Sequence, residues 1–319
     1  MGEPDDVFAH IGRGYDYYPN TAIQLCVISY GGMQDIPRQV SSATGLTVVW
    51  GPDELKDWDG VSYSRAFVAG NAGTGEYFVV IRGTNFESLS SWLKQDFDLH
   101  TAMPFGSLPG APPNVPADAL VAQGTVNGIS DLLRLRDAQT GTSLVEFLEA
   151  LKPRYLYVTG HSLGGTLAPP LFAYLNAMIY GGGPSRNMAL WSFAGLTPGG
   201  TGFNQYFNSL LPDNQGFLWR IQNSLDIAPF CWWSSDDVQQ IYEPYGLRWD
   251  FIDRDLLAYL LNHAVKADIG YAPAQPGLVL PGTFDSSPVD KDMWSAQALR
   301  QHHPATYQSL VKNRYPLPP

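Results

Sequence analysis

Hydrophobic and polar positions along this chain switch between two periods, and the switches mark out its elements. Tyr63 to Ala69 and Glu76 to Arg82 are β-rich runs joined by Gly70-Asn71-Ala72-Gly73-Thr74-Gly75, a link of hairpin length, which predicts an antiparallel pair. Leu144, Phe147, Leu148 and Leu151 then recur at helical spacing, Tyr155 to Thr159 is a short apolar run, and Leu163 to Tyr180 returns to helical character. Met188 to Ala194 and Phe217 to Gln222 repeat the strand signal, each after a turn-rich or helical stretch, as parallel strands with crossovers require. Near-continuous apolar strands suit a sheet covered on both faces. The pattern predicts an α/β fold: a central, mostly parallel sheet with an antiparallel early part and helices on both faces.

Two segments fit that sheet poorly. Thr101 to Ala117 carries Pro104, Pro109, Pro112, Pro113 and Pro116 without periodicity and reads as a long surface loop, a feature that is usually functional in a compact domain. Trp232 to Leu280, with a helix expected from Asp253 to Ala267, is too short to hold a core of its own and reads as a cap-like insertion. A length of 319 residues allows roughly two domains. With no internal repeat or low-complexity tract, the expected organisation is one domain over 1–319. Its surplus goes into a segment at about 86–117 and the cap-like insertion at about 232–280.

Composition narrows the function classes. Apolar residues make up 45% and charged residues 15%, against roughly 25% charged in an average soluble protein, which excludes a disordered acidic tail or a coiled coil. The formal charge is −11 and no stretch concentrates Lys and Arg, so nucleic acid is excluded as a partner and a strongly anionic membrane is disfavoured. A neutral lipid or ester interface is not. With no run of 18 apolar residues, no transmembrane segment is expected. The start, Met1-Gly2-Glu3-Pro4-Asp5-Asp6, is acidic where a secretory signal would be basic, so the expected location is the cytoplasm, or outside the cell with the signal removed. Cys26 and Cys231 fit no metal spacing; they read as buried free thiols, with a single disulfide as the alternative. Without an H-E-x-x-H or an acidic calcium loop, neither metal nor cofactor is expected.

The candidate chemistry centres on Tyr155-Leu156-Tyr157-Val158-Thr159-Gly160-His161-Ser162-Leu163-Gly164-Gly165, a strand, then G-x-S-x-G, then a helix. In that context the sharp turn projects the Ser side chain outward, the glycines remove Cβ atoms that would clash, and the helix N-terminus supplies N–H groups and a positive dipole end. Ser162 is the expected nucleophile. On such a fold the chain order is Ser, then Asp or Glu, then His. Asp226 directly follows the strand Phe217 to Gln222 and is the expected orienter, ahead of Asp236, Asp237, Asp250 and Asp253. Of the later histidines, His263 lies on an apolar helical face and reads as structural. His302 and His303, before Pro304 and a short terminal helix, lie where a loop could reach back to the sheet, and one of the two is the expected base. The oxyanion donors are expected from Leu163, after the nucleophile, and from Thr84, in the loop after Val79-Val80-Ile81-Arg82-Gly83.

From Tyr63 to Tyr307 the chain resembles the class 3, fungal-type lipases of the α/β-hydrolase superfamily. The resemblance rests on Arg82-Gly83-Thr84, the Ser88 to Asp98 stretch with Trp92 and Asp96, Gly160 to Gly165, Ser192-Phe193-Ala194-Gly195, Asn223 to Pro229, and a late His followed by Tyr. It implies a Ser162, Asp226, His triad, an oxyanion hole of Thr84 and Leu163, and a lid directly after Arg-Gly-Thr, at about 86–117, so that 1–319 is a single catalytic domain. The His-to-Tyr spacing of the family favours His302 over His303, relative to Tyr307. The chain departs from the family at Ala122-Gln123-Gly124-Thr125, where only the Gly matches the usual His-Lys-Gly-Phe-like start. The implied function is a triacylglycerol lipase acting through an acyl-enzyme on Ser162 at a neutral oil–water interface. A short-chain esterase or phospholipase A1 is the alternative, with an acyltransferase a further rival. A catalytically silent lipid-binding member is the reading from another class, and the intact Ser, Asp, His order argues against it.

Overall fold

A seven-stranded sheet carries the described residues, its strands in the spatial order Thr47–Lys56, Ser62–Asn71, Glu76–Ile81, Tyr155–His161, Met188–Phe193, Leu218–Asn223 and Gly277–Leu280. The computed structural model describes residues 17–84, 101–112, 114–211, 218–248, 269–274, 277–287 and 294–316. Helices α1 (Tyr17–Ser29) and α2 (Ile36–Thr44) precede β1 (Thr47–Lys56), β2 (Ser62–Asn71) and β3 (Glu76–Ile81), and these first three strands are antiparallel. A two-stranded ribbon follows, β4 (Ala102–Pro104) with β5 (Leu120–Ala122), then α3 (Gln123–Arg134) and α4 (Leu144–Leu151). The parallel part is built from β6 (Tyr155–His161), α5 (Leu163–Tyr180), β7 (Met188–Phe193), α6 (Thr201–Ser209) and β8 (Leu218–Asn223). The short helix α7 (Ser235–Gln240), β9 (Gly277–Leu280), α8 (Trp294–His302) and α9 (Pro304–Arg314) complete the chain. This is the mostly parallel α/β arrangement that the alternating periods predict, and it agrees with the α/β-hydrolase fold that the family resemblance implies.

Both faces of the sheet are covered. Every residue of β3, β6 and β7 is buried, which is why those strands read as unbroken apolar runs. One core packs α3, α4 and α5 against residues such as Val79, Val158 and Leu190; the other packs α1 and α9 against Phe78, Tyr157 and Trp191. Tyr18 of α1 and Tyr157 of β6 both donate to the buried carboxylate of Glu76, so this charge enters the core with its partners. In α5, Pro169 has no N–H to offer the Gly165 carbonyl one turn earlier, and Ser192 Oγ donates to that oxygen at 2.8 Å instead.

The Pro-rich stretch differs from the surface loop its composition suggests. Its described residues include β4 and a 3-10 turn, Phe105–Ser107, and Phe105 and Leu108 are buried in the main core. Phe105 packs edge-on against Phe203, and Tyr174 donates to the Pro109 carbonyl. Proline fixes the backbone here while isolated large side chains do the anchoring, so no period is visible. Residues 86–100 and 113 of the expected lid lie outside the described residues, as do the Ser88 to Asp98 stretch, the acidic N-terminus, the Asp253 to Ala267 helix with His263, and the rivals Asp250 and Asp253. The rest of the insertion packs as a third cluster, with Trp232, Val238, Tyr242 and Leu247 against Leu225, Ile227 and Trp294. Cys26 and Cys231 are buried free thiols, in separate clusters; burial pushes the Cys26 thiol up to about 12 and raises that of Cys231 as well. Among the described residues, no helix is long and apolar enough to cross a membrane.

At the strand ends near Ser162 a charge network joins three elements. Arg65 on β2 lies opposite Glu54 on β1, donates to it from Nε at 3.0 Å, and also donates to the Ser29 and Gly31 carbonyls after α1. Burial favours the neutral form of Glu54, but the hydrogen bonds from Arg65, Lys56 and Ser62 outweigh it and hold the carboxyl at about 2. A depressed carboxyl contributes stability above its unfolded value and loses it as pH falls through the folded one, so the window runs from about 4.5 down to about 2. After allowance for solvent screening, Glu54→Gln is expected to lose about 1–2 kcal/mol at pH 6 and little at pH 2. Urea midpoints across that range check this; a loss that does not change with pH would show that Glu54 acts by packing alone.

Candidate active site

The site begins at the junction of β6 and α5. Ser162 has φ 60° and ψ −126°, a conformation that a non-glycine residue holds only under constraint, and its N–H donates to the Phe193 carbonyl while its own carbonyl accepts from Thr166. The turn is possible because strand and helix nearly touch. A Cβ on Gly160 would lie 2.2 Å from the Gly164 carbonyl carbon, and one on Gly164 would lie 2.2 Å from the Ile81 carbonyl oxygen of β3, so neither position tolerates a side chain. Ser162 thus stands at the N-terminus of α5, with the Leu163 N–H in its first turn.

The loop after β3 closes against this turn. Gly83 has no Cβ, and one placed there would meet Tyr30 Oη at 2.3 Å, the His161 carbonyl at 2.4 Å and Ser162 Cβ at 2.9 Å. Its glycine is therefore required by the close approach of this loop to Ser162, and Thr84, the next residue, is buried. Arg82, which in sequence could be an ordinary strand end, holds the loop: its guanidinium donates to the Gly83 carbonyl at 3.1 Å and to the Ser62 carbonyl at 2.8 Å.

His302 and Asp226 complete the set. Ser162 Oγ is 2.9 Å from His302 Nε2, and His302 Nδ1 is 3.0 and 2.8 Å from the two carboxylate oxygens of Asp226. Asp226 also accepts from Tyr307 Oη at 2.7 Å and from the Ala228 N–H at 2.9 Å. Ser162 and Asp226 are 0% exposed and His302 1%, so the whole chain of hydrogen bonds is shielded from solvent. Burial, reinforced by the charge of Asp226, raises the Tyr307 phenol well above its usual range, and it remains a donor.

The two histidines separate cleanly. His303 is the N-cap of α9, with Nδ1 accepting from the Ala305 N–H at 3.2 Å. His302 is the last residue of α8, a helix where the sequence predicts a loop. Its position is fixed by Asn223, at the end of β8, whose Nδ2 donates to the Gln301 carbonyl and side chain at 2.9 and 2.8 Å.

Two residues outside the predicted set also shape the site. Tyr30 Oη lies 3.0 Å from His161 Nδ1, and the His161 ring sits 5.1 Å from that of His302 and 5.4 Å from that of Tyr307. Burial pushes the His161 imidazole well below its usual range, and the nearby His302 pushes the same way, so His161 is neutral. Tyr30 carries no motif, and its position next to His161 follows from the packing of α1 on the sheet. Asp236 and Asp237 lie in the first turn of α7, where the Asp237 carboxylate accepts from Ser234 Oγ.

Residues 78–233 match the family model of the class 3 lipases. Among solved structures, the chain is similar to M37 lipase at 25% identity, covering 92% of this chain and 91% of that one with a TM-score of 0.73. It shares its fold with the Lip2 lipase of Yarrowia lipolytica, at 16% identity, 86% and 81% coverage and a TM-score of 0.56. It also shares its fold with a triacylglycerol lipase of Penicillium expansum, at 16% identity, 84% and 80% coverage and a TM-score of 0.53. No curated protein sequence matches the chain.

Proposed function

We propose, from the match of residues 78–233 to the class 3 lipases and the similarity to M37 lipase, that this carboxylic ester hydrolase of the lipase type is a class 3 triacylglycerol lipase that works through an acyl-enzyme on Ser162. The observation that carries this reading is the unbroken hydrogen-bonded chain from Ser162 Oγ through His302 to Asp226. His302 Nε2 takes the hydroxyl proton as Oγ attacks the ester carbonyl, and Asp226 holds the imidazolium through Nδ1. The N–H groups of Thr84 and Leu163 stabilise the oxyanion. Collapse passes the proton from His302 to the departing alcohol, and water, activated by the same His302, releases the fatty acid. A neutral His161 helps here, since a second cation beside His302 would disfavour the imidazolium.

The domain organisation belongs to the same proposal: one catalytic domain over 1–319, with the lid region at about 86–117 and the insertion at about 232–280. The full burial of Ser162 supports a covered site, since an ester carbonyl reaches Oγ only if that cover is displaced. The described residues of 101–117 are anchored by Phe105 and Leu108, so that half is a pinned base rather than a swinging flap.

Rates on tributyrin measured below and above its solubility limit test the proposal. A steep rise once emulsion forms is the expected result. Smooth saturation below the limit with no rise beyond it would make the enzyme a soluble-ester esterase instead.

A further inference from the structure

The turn between β1 and β2 lies at the same end of the sheet as Ser162. β1 is antiparallel to β2, and β2 to β3, so β1 ends beside the carboxyl ends of the strands that carry Gly83, Ser162 and Asp226. Arg82 ties the two together by donating to the Ser62 carbonyl and hydroxyl at 2.8 and 2.9 Å. At the tip stands Trp58, 93% exposed, followed by Val61 at 46% and Tyr63 at 37%.

The other two exposed aromatic residues of the described surface, Trp233 and Tyr245, belong to the same end. Trp233 follows Asp226 and donates to the Pro229 carbonyl, and Tyr245 stacks on Phe284, just past the carboxyl end of β9. Single exposed apolar residues need no explanation, but exposed aromatic rings gathered at the catalytic end do.

The tip is also preformed. Asp57 Oδ1 accepts from the Asp59 and Val61 N–H groups, the Asp57 N–H donates to the Val61 carbonyl, and Gly60 takes φ 81°. A rigid Trp on a tight turn buries its ring at a lipid surface without first having to order the backbone. Trp is suited to the headgroup level, where one part of the ring is apolar and the N–H stays wet. Asp57 and Asp59 flank it and the chain carries −11, which repels anionic headgroups and leaves zwitterionic or neutral lipid. One tip of this size is also far below the roughly 1,000 Å² that a stable protein partner needs.

We infer that the β1–β2 hairpin tip, with Trp58 foremost and Val61 and Tyr63 behind it, is an anchor that seats the catalytic end of the sheet on a zwitterionic lipid surface. The inference rests on the ester-hydrolase reading for the substrate that arrives there, not for the binding itself.

Flotation of the full chain with vesicles of ether-linked dialkyl phosphatidylcholine, which offer no ester to cleave, tests it. Trp58→Ala is expected to lower the partition coefficient about tenfold and Trp58→Phe by much less, with hydrolysis of soluble p-nitrophenyl butyrate unchanged in both. The inference is overturned if Trp58→Ala floats like the unaltered chain. It is also overturned if the unaltered chain floats only with phosphatidylglycerol present, or if Trp58 instead proves to hold a dimer in sedimentation. Failure of the two readings is distinguishable: Trp58-dependent flotation without hydrolysis removes the hydrolase, and hydrolysis without Trp58-dependent flotation removes the anchor.

Discussion

Replacing Ser162 by Ala is expected to lower kcat on p-nitrophenyl butyrate by about 10⁴- to 10⁶-fold while leaving the fold in place. The size follows from the way the set works as a unit. Without Oγ there is no acyl-enzyme, and the residual rate comes from binding and from the Thr84 and Leu163 donors acting on water attack. The fold is expected to survive because the turn depends on backbone: the Ser162 N–H to the Phe193 carbonyl, and the Thr166 N–H and hydroxyl to the Ser162 carbonyl. Ala adds no atom and keeps the same φ penalty. Turnover per mole of protein on p-nitrophenyl butyrate and the thermal midpoint together check this; activity within tenfold of the parent would remove Ser162 from the chemistry.

The second large effect divides two adjacent residues. His302→Ala is expected to cost about 10⁴- to 10⁶-fold in kcat, because it removes the only group between Ser162 Oγ and Asp226 in the described site. It also leaves Asp226 buried with Tyr307 and the Ala228 N–H as its remaining donors, so some stability is lost with it. His303→Ala is expected to change kcat by less than about twofold and to cost about 0.5–1 kcal/mol, the usual worth of a helix cap. Measuring kcat and urea midpoints for both variants reads the two roles separately. Large kcat losses in both would mean that the α9 cap, and not the imidazole beside Ser162, sets the rate.

Much of this arrangement is legible in the sequence. The β2–β3 hairpin, the β6–α5 turn and the strands before Asp226 declare themselves because alternation and helical spacing are sharp there and the glycines stand where close approach demands them. Helix α1 was not readable in the same way. Asn20, Thr21 and Ser29 are buried along with Ala22, Ile23, Leu25 and Cys26, so the helix has no polar face and no contrast to detect. α8 hides for the opposite reason: Gln297 and Gln301 are buried polar residues, placed to hold Asp285 and Asn223 rather than to meet water. That is why His302 reads as a loop residue and is found on a helix end. Tyr30 was invisible because nothing local marks it; its contact with His161 exists only once α1 has docked.

Asn223 has a wider bearing. It caps the strand that delivers Asp226, and it also fastens the helix end that delivers His302, while its N–H donates to Tyr307. Asp226 and His302 are 76 positions apart in the chain, but their spacing is clamped at one amide. Because Ala228 and Gln301, at the two ends of the intervening stretch, also hold Asp226 and His302 in place, a shift of either the strand end or the helix end is transmitted to the other through this one side chain.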